Sequence, residues 1–298
     1  METNYGWLVL LDVNQWEPEL DFTAYNVRTG NQLVVQSIPS GLHRLGMRLM
    51  PPTSTVWFDL EPGQVVGFRF NESLYRYEEL SDATLIPYKK LILSGSQIEN
   101  LKSYMRLHDA GNEDRWVAWQ KITKHLKLDS IPVTIHTNEA TEPPTSISLE
   151  ERKKWLMNQP TRFEQILFNT HQGSIDKFLA EFEYVFIQKL YHHDDSRSLK
   201  RWEFIIQALY NAGERGILKA PELFVSAVEI LIVQFSVTPG ANLNPDYVAR
   251  PGIAQRVPVD VVTGADNLVE DMIDSEIEAV VEKGKEFEAY LKQRGILS

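Results

Sequence analysis

EFEYVFIQKLYHHDDSRSLKRWEFIIQAL (181–209) can be read two ways, and the choice decides what kind of protein this is. Its polar centre places His192, His193, Asp194 and Asp195 side by side, the residue types of a metal site or an acid/base pair. Its flanks instead describe a helix, a charged turn and a second helix. Neighbours on a helix point about 100° apart, so His192 and His193 could not face one ion there. The apolar period ends near Tyr191 and resumes near Ser198. A protonated His near a helix C-terminus favours the last carbonyls, and Asp or Ser before the next helix favours its first N–H groups. HHDDS supplies both in that order, so the cluster reads as a capping turn.

Helical spacing extends on both sides. In IDKFLAEFEYVFIQKL (175–190), Phe178, Leu179, Phe182, Val185, Phe186 and Leu190 share one broad face. In LKRWEFIIQALYNAG (199–213), Trp202, Ile205, Ile206 and Leu209 do the same, with Gly213 in the C′ place. PELFVSAVEILIVQF (221–235) opens on a first-turn proline and is apolar almost all round, which predicts a central helix. A last amphipathic helix is expected from about Leu268 to Arg294. The stretch 239–266 is punctuated by Pro and Gly around the extended fragment VPVDVVT.

The first eighty residues have a different period. GWLVLLDV (6–13), LDFTAYNV (20–27), QLVVQSI (32–38), STVWFDL (54–60) and QVVGFRF (64–70) are short β-branched and aromatic runs between turn formers. They predict an antiparallel sandwich or barrel, with SLYRYEEL (73–80) pairing back onto the preceding strand. After Pro87 the spacing of Ile98, Leu101 and Met105, then Trp116, Trp119, Ile122 and Leu126, predicts two helices capping one open sheet face. The fold expected is α+β: a β-sandwich-like domain with capping helices over 1–128, a Pro-rich linker over 129–147 and a helical domain over 148–298. Ser148 and Glu151 have capping-box spacing at the start of the last.

Composition narrows the chemistry. The chain has 298 residues, a formal charge of −11 and no cysteine. Disulfides, thiolate metal sites and Cys nucleophiles are thereby excluded, and the negative balance disfavours direct nucleic-acid binding. The basic clusters Arg152-Lys153-Lys154 and Lys200-Arg201 read as solvated helix faces. The N-terminus lacks a basic segment, and its apolar run spans only Trp7–Leu11, so a soluble intracellular protein is expected. No phosphate-binding glycine loop, H-E-x-x-H, G-x-S-x-G or EF-hand loop is present, and Gly284-Lys285 lacks the flanking residues of a Walker site. No cofactor or metal is expected. The competing enzymatic reading is a metal-dependent hydrolase built on His192, His193 and Asp194.

Four segments, in order along the chain, resemble the A1-cistron splicing factor family. They are GNQLVVQSIPSGLHRL (30–45), with Ile38, Pro39, Gly41 and His43 matching an I-P-x-G-x-H turn, and the hairpin VVGFRFNESLYRYEEL (65–80). The others are 181–209, with Glu181, Phe182, Phe186, Leu190 and Trp202 in matching places, and EKGKEFEAYLKQRG (282–295). The resemblance implies an N-terminal β-sandwich-like domain joined to a C-terminal VHS-like helical domain. It also implies a non-enzymatic assembly factor, acting in cytoplasm and nucleus. Such a factor binds the RNase H-like and Jab/MPN-like C-terminal domains of the large U5 small nuclear ribonucleoprotein scaffold and holds off the U5 helicase.

The interhelical turn departs from the family's Gly-Asn, the segment 239–257 has no clear counterpart, and relatives often carry, after the last helix, a further tail that helps bridge the partner's domains. A monomer without membrane contact is expected. Trp16, His192, Asp195 and Arg197 are the candidate partner-binding residues. A generic trafficking adaptor is the third reading.

Overall fold

Consecutive residues of the first strand serve two different cores. In the computed structural model, β1 (Tyr5–Leu11) directs Leu8 and Leu10 into one apolar cluster and Val9 into another. Side chains alternate across a strand, so a continuous apolar run is what a strand buried on both faces requires. β4 (Gln32–Pro39) repeats the device, with Leu33 and Val35 on one side and Val34 on the other. The structure describes residues 4–13, 16–21, 23–27, 30–47, 54–94, 105–107, 113–132, 135, 148, 150–151, 161–191, 196–237 and 262–297.

The remaining strands are β2 (Pro18–Leu20), β3 (Thr23–Ala24), β5 (Gly41–Met47), β6 (Val56–Leu60), β7 (Val65–Asn71), β8 (Arg76–Glu79) and β9 (Met105–Leu107). One sheet has the order β8-β7-β1-β4-β9 and the second β3-β2-β5-β6. Leu20, Leu45, Met47, Phe58 and Leu60 of the second sheet meet Leu8, Leu10, Phe68 and Phe70 of the first in a shared core. The expected two-layer β unit and the β7–β8 hairpin are therefore present. Its first sheet is mixed rather than antiparallel throughout, because β1 pairs with β7 and β4 with β9 in parallel.

Two further expectations are corrected. Gly41 and His43, read as part of a turn, belong to the strand β5, which only the single residue Ser40 separates from β4. The first helix, α1 (Asp82–Ser94), begins before Pro87 and contains it. Ser81 starts that helix, its hydroxyl and carbonyl accepting from Thr84 and Leu85 N–H at 3.4 and 3.1 Å. Pro87 is exposed, as is Ala83, whose carbonyl loses its helical partner and faces water instead.

Met105, expected on a helix, lies in β9, while Ile98 and Leu101 fall outside the described residues. The helices also do not share one face. Leu85 and Ile92 of α1 cover Val9, Val34 and Val65 on the first sheet. α2 (Glu113–Ile122) lies instead against the second sheet, where Trp119 stacks on Trp57 at 5.9 Å and donates to the Leu42 carbonyl at 2.8 Å.

The described residues divide into two units. The first holds those up to Lys121 with 127–129, and the second holds 122–126 and those from Ser130 onward. Most of the Pro-rich segment 129–147 and VPVDVVT through Val261 lie outside the described residues. Ser148 and Glu151 make the reciprocal capping bonds their spacing predicts, at 2.9 and 3.3 Å.

The second unit is helical. α3 starts as one α-turn (Arg162–Glu164), capped by a Thr161/Glu164 box, and widens into a π-helix (Gln165–Thr170). It is followed by α4 (Ile175–Tyr191), α5 (Ser196–Tyr210), α6 (Gly213–Lys219) and α7 (Pro221–Val237). Gly213 has φ +66°, the left-handed position expected of it. α4 was expected to bury one face, yet Glu181 and Glu183, about 200° apart around it, are both buried. It is thus a second central helix beside α7.

The closing helix is two helices, α8 (Ala265–Asp274) and α9 (Glu278–Gln293). Ser275 Oγ donates to Met272 O at 2.8 Å and accepts from Ile277 N–H at 3.4 Å, while Glu276 takes φ +59°. Without Pro or Gly at the joint, the break had no signal in the pattern. Gly284, already excluded from a nucleotide loop, is where the pair closes: a Cβ there would meet Met272 Cβ at 2.9 Å. Gly284→Ala is expected to cost about 1–3 kcal/mol of stability, read as a lowered urea midpoint. An unchanged midpoint would mean that the hairpin widens freely.

Candidate functional site

The I-P-x-G-x-H turn is the best-formed polar constellation of the β unit. Ile38 enters the core, and Gly41, at φ +135°, lies under Trp116, whose ring is 3.5 Å from where a Cβ would stand. His43 is fully buried, with Nε2 2.7 Å from the Pro39 carbonyl and Nδ1 bonded to Asp21 Oδ2. A neutral imidazole has one N–H, so two acceptors require the imidazolium form. Burial works against that charge, and the Asp21 carboxylate, the Pro39 carbonyl and the more distant Asp59 overcome it and raise the pKa. The other Asp21 oxygen accepts the Arg44 N–H at 2.8 Å, and Trp116 stacks on the imidazole at 5.2 Å. The pair resembles a catalytic His–carboxylate dyad. With both nitrogens engaged, however, it has no lone pair to take a substrate proton, and it acts as a buckle between Asp21 and the β4–β5 turn.

In the helical unit, Glu181 accepts from Arg201 Nε at 3.0 Å, Arg201 Nη2 at 2.8 Å and His171 Nε2 at 2.8 Å. Burial would raise this carboxyl. The bonds from His171 and Arg201, with the Arg201 charge, instead hold it at about 2. On the far side of α4, Glu183 accepts His125 N–H, Leu126 N–H and His125 Nδ1 at 2.9, 3.1 and 2.7 Å. Burial dominates there and raises its pKa. Sequence periodicity missed all of these residues. The available signal was a pair of acids, Glu181 and Glu183, within the otherwise apolar middle of the helix, Phe178 to Ile187.

Trp202, prominent in the resemblance, is core: its Nε1 donates to Gln234 Oε1 at 2.7 Å. Lys189 Nζ is buried without a hydrogen bond and rests 4.0 Å from the Trp202 ring centroid. Burial brings its pKa down to about 8, with Glu203 opposing. Leu190, expected in the core, is only half-buried.

The candidate contact residues are dispersed. Trp16 is half-buried, packs edge-on to Phe70 at 5.5 Å and donates to Glu72 Oε1 at 3.1 Å. Arg197 is exposed on the first turn of α5. His192, His193, Asp194 and Asp195 lie outside the described residues. Among the described residues, no group of three or more His, Asp or Glu is placed to hold a metal ion.

Two opposite pH dependences follow. A raised imidazole pKa stabilises the fold fully below 6.5, and that contribution is lost as pH climbs through the raised value. The β unit is therefore expected to weaken as pH rises from 6.5, and His43→Gln to abolish that slope at a cost of about 3–5 kcal/mol; an unchanged slope in the variant would refute the buckle. A lysine depressed from 10.5 to about 8 does the reverse, since the unfolded chain binds the extra proton in that interval. The helical unit should gain stability between those pH values, and Lys189→Met should remove the gain while raising the unfolding midpoint at neutral pH. A lower midpoint in Lys189→Met would mean that the cation–ring contact outweighs the burial cost.

Among the described residues no helix is long and apolar enough to cross a membrane. The family model for the AAR2 C-terminal repeat region matches residues 134–295, more than half of the chain. Among curated proteins none matches. That match takes in the π-segment, the Glu181 network and the α8–α9 hairpin, and the I-P-x-G-x-H turn and the β7–β8 hairpin accompany it in the β unit. The chain belongs to the AAR2, or A1-cistron, splicing-factor family.

Proposed function

We propose that this protein is a non-enzymatic assembly factor of the U5 small nuclear ribonucleoprotein. It binds the RNase H-like and Jab/MPN-like domains of the large U5 scaffold protein, keeps the U5 helicase away during cytoplasmic maturation, and leaves after nuclear import. The observation that carries this reading is membership of the splicing-factor family through residues 134–295. The side chains that look reactive support it by being used internally. His43, His125 and His171 each bond a carboxylate, and Arg201 grips Glu181 with two nitrogens. What remains for a partner is surface, as a binding protein requires. The charged turn, through His192 and Asp195 with Arg197, and Trp16 at the β7–β8 end supply rim contacts in this proposal.

The test is co-purification and calorimetry with the isolated RNase H-like and Jab/MPN-like domains. A complex at micromolar affinity or tighter is expected, and no complex with a folded partner would overturn the reading. His192→Ala with Asp195→Ala should weaken it by up to about fivefold, as for a solvated rim contact, with folding unchanged.

A further inference from the structure

One edge of β7 is left partly unfilled. Trp7 N–H donates to Gln64 O at 2.9 Å, and Leu80 N–H donates to Gly67 O at 2.9 Å. Backbone groups alternate between the two sides of a strand, so Gln64, Val66 and Phe68 serve β1, whereas Val65, Gly67 and Arg69 face β8. The β8 pairing runs from Arg76 opposite Asn71 to Glu79 opposite Phe68, and Leu80 adds one more bond to Gly67. The residue that would reach Val65 is Asp82, which has already turned away into α1. Among the described residues nothing bonds the Val65 N–H or C=O, although Val65 is buried. Unpaired backbone groups in a buried residue are rare.

The place that β8 vacates is a cleft of about 550 Å³. Val65 and Leu80 line its sheet side, and Ser81, Leu85 and Lys89, spaced at i, i+4 and i+8, line the other from one face of α1. Val65, Leu80 and Leu85 belong to one apolar cluster, so the wall beside the free backbone is apolar. The charged lining residues are Glu79, Asp82 and Lys89, and the last two pair at 2.7 Å. Main-chain bonding and apolar contact, rather than charge, therefore set what fits. On its other edge β7 is held by β1, from Trp7 opposite Val65 to Leu11 opposite Arg69. A preformed strand edge loses little freedom when a further strand is added to it.

We propose that this cleft takes an extended segment of a protein partner, which continues the line of β8 antiparallel to β7. One partner residue exchanges both backbone bonds with Val65. Its side chain falls on the same face as Val65, against Leu80 and Leu85, so that residue is apolar. The chemistry recognised is a main-chain N–H and C=O pair carrying an apolar side chain, which a small apolar ligand lacks. This goes beyond the scaffold-binding reading and does not rest on it.

The probe is an acetylated, amidated hexapeptide of alternating threonine and valine, added to the full-length chain and followed by amide NMR and hydrogen exchange. In the free protein the Val65 amide should exchange faster than that of Val66, whose N–H faces β1. The peptide, at millimolar concentration or below, should protect the Val65 amide and move its proton downfield. N-methylation of the peptide's valines, whose N–H groups point at β7, should abolish binding. N-methylation of its threonines, whose N–H groups point away, should preserve it. Val65→Pro removes the N–H that faces the cleft and spares the β1 bonds, which use Gln64 and Val66. It should weaken the peptide about fivefold or more, and the comparison of methylated peptides does not depend on that variant folding. A slowly exchanging Val65 amide in the free protein, or no protection of it by the unmethylated peptide, would overturn the proposal. Equal binding of the two methylated forms would reassign the cleft to a small apolar ligand, and shifts confined to residues outside it would place the peptide elsewhere; either result also overturns it.

Discussion

The Glu181 carboxylate is buried in the middle of the helical unit, and three hydrogen bonds from Arg201 and His171 keep it ionised there. A buried carboxylate is costly unless it is paired and hydrogen-bonded, so the seating of α4 in the core depends on both partners. Arg201 comes from α5 and His171 from the end of the π-segment. This one group therefore sets the seating of both neighbours. Glu183 does comparable work on the opposite side of α4, gathering two backbone N–H groups and the His125 ring.

The β unit meets the same constraint with opposite chemistry. Its buried ion pair centres on a histidine whose two nitrogens face a carboxylate and a carbonyl. The result is a turn held from three directions: by Asp21, by Pro39 and by the Trp116 ring above Gly41. The I-P-x-G-x-H pattern thus has a physical explanation in which each named residue has a separate task. None of those tasks needs a substrate.

Among the described residues, the polar groups that look reactive are used in fastening helices and turns, and the family relationship places the chain in splicing. The conspicuous HHDD cluster lies outside the described residues, and Arg197 beside it is exposed on the first turn of α5.

Much of the architecture was legible along the chain. Short β-branched and aromatic runs marked β1, β4, β6 and β7, helical spacing marked α4, α5 and α7, and Ser148 with Glu151 announced their own capping box. These are local properties: strand and helix period, first-turn proline, cap spacing and a left-handed glycine depend on neighbours within a few residues. Tertiary structure alone decided the parallel pairing of β1 with β7 and the separation of the two capping helices onto different sheets, because each depends on contacts with distant segments. It also decided which charges are buried. Glu181 looks like any surface acid until Arg201 and His171, 20 and 10 residues away, are seen to converge on it. A sequence states which groups can pair, but the desolvation that makes a pairing obligatory exists only after the chain has folded around it.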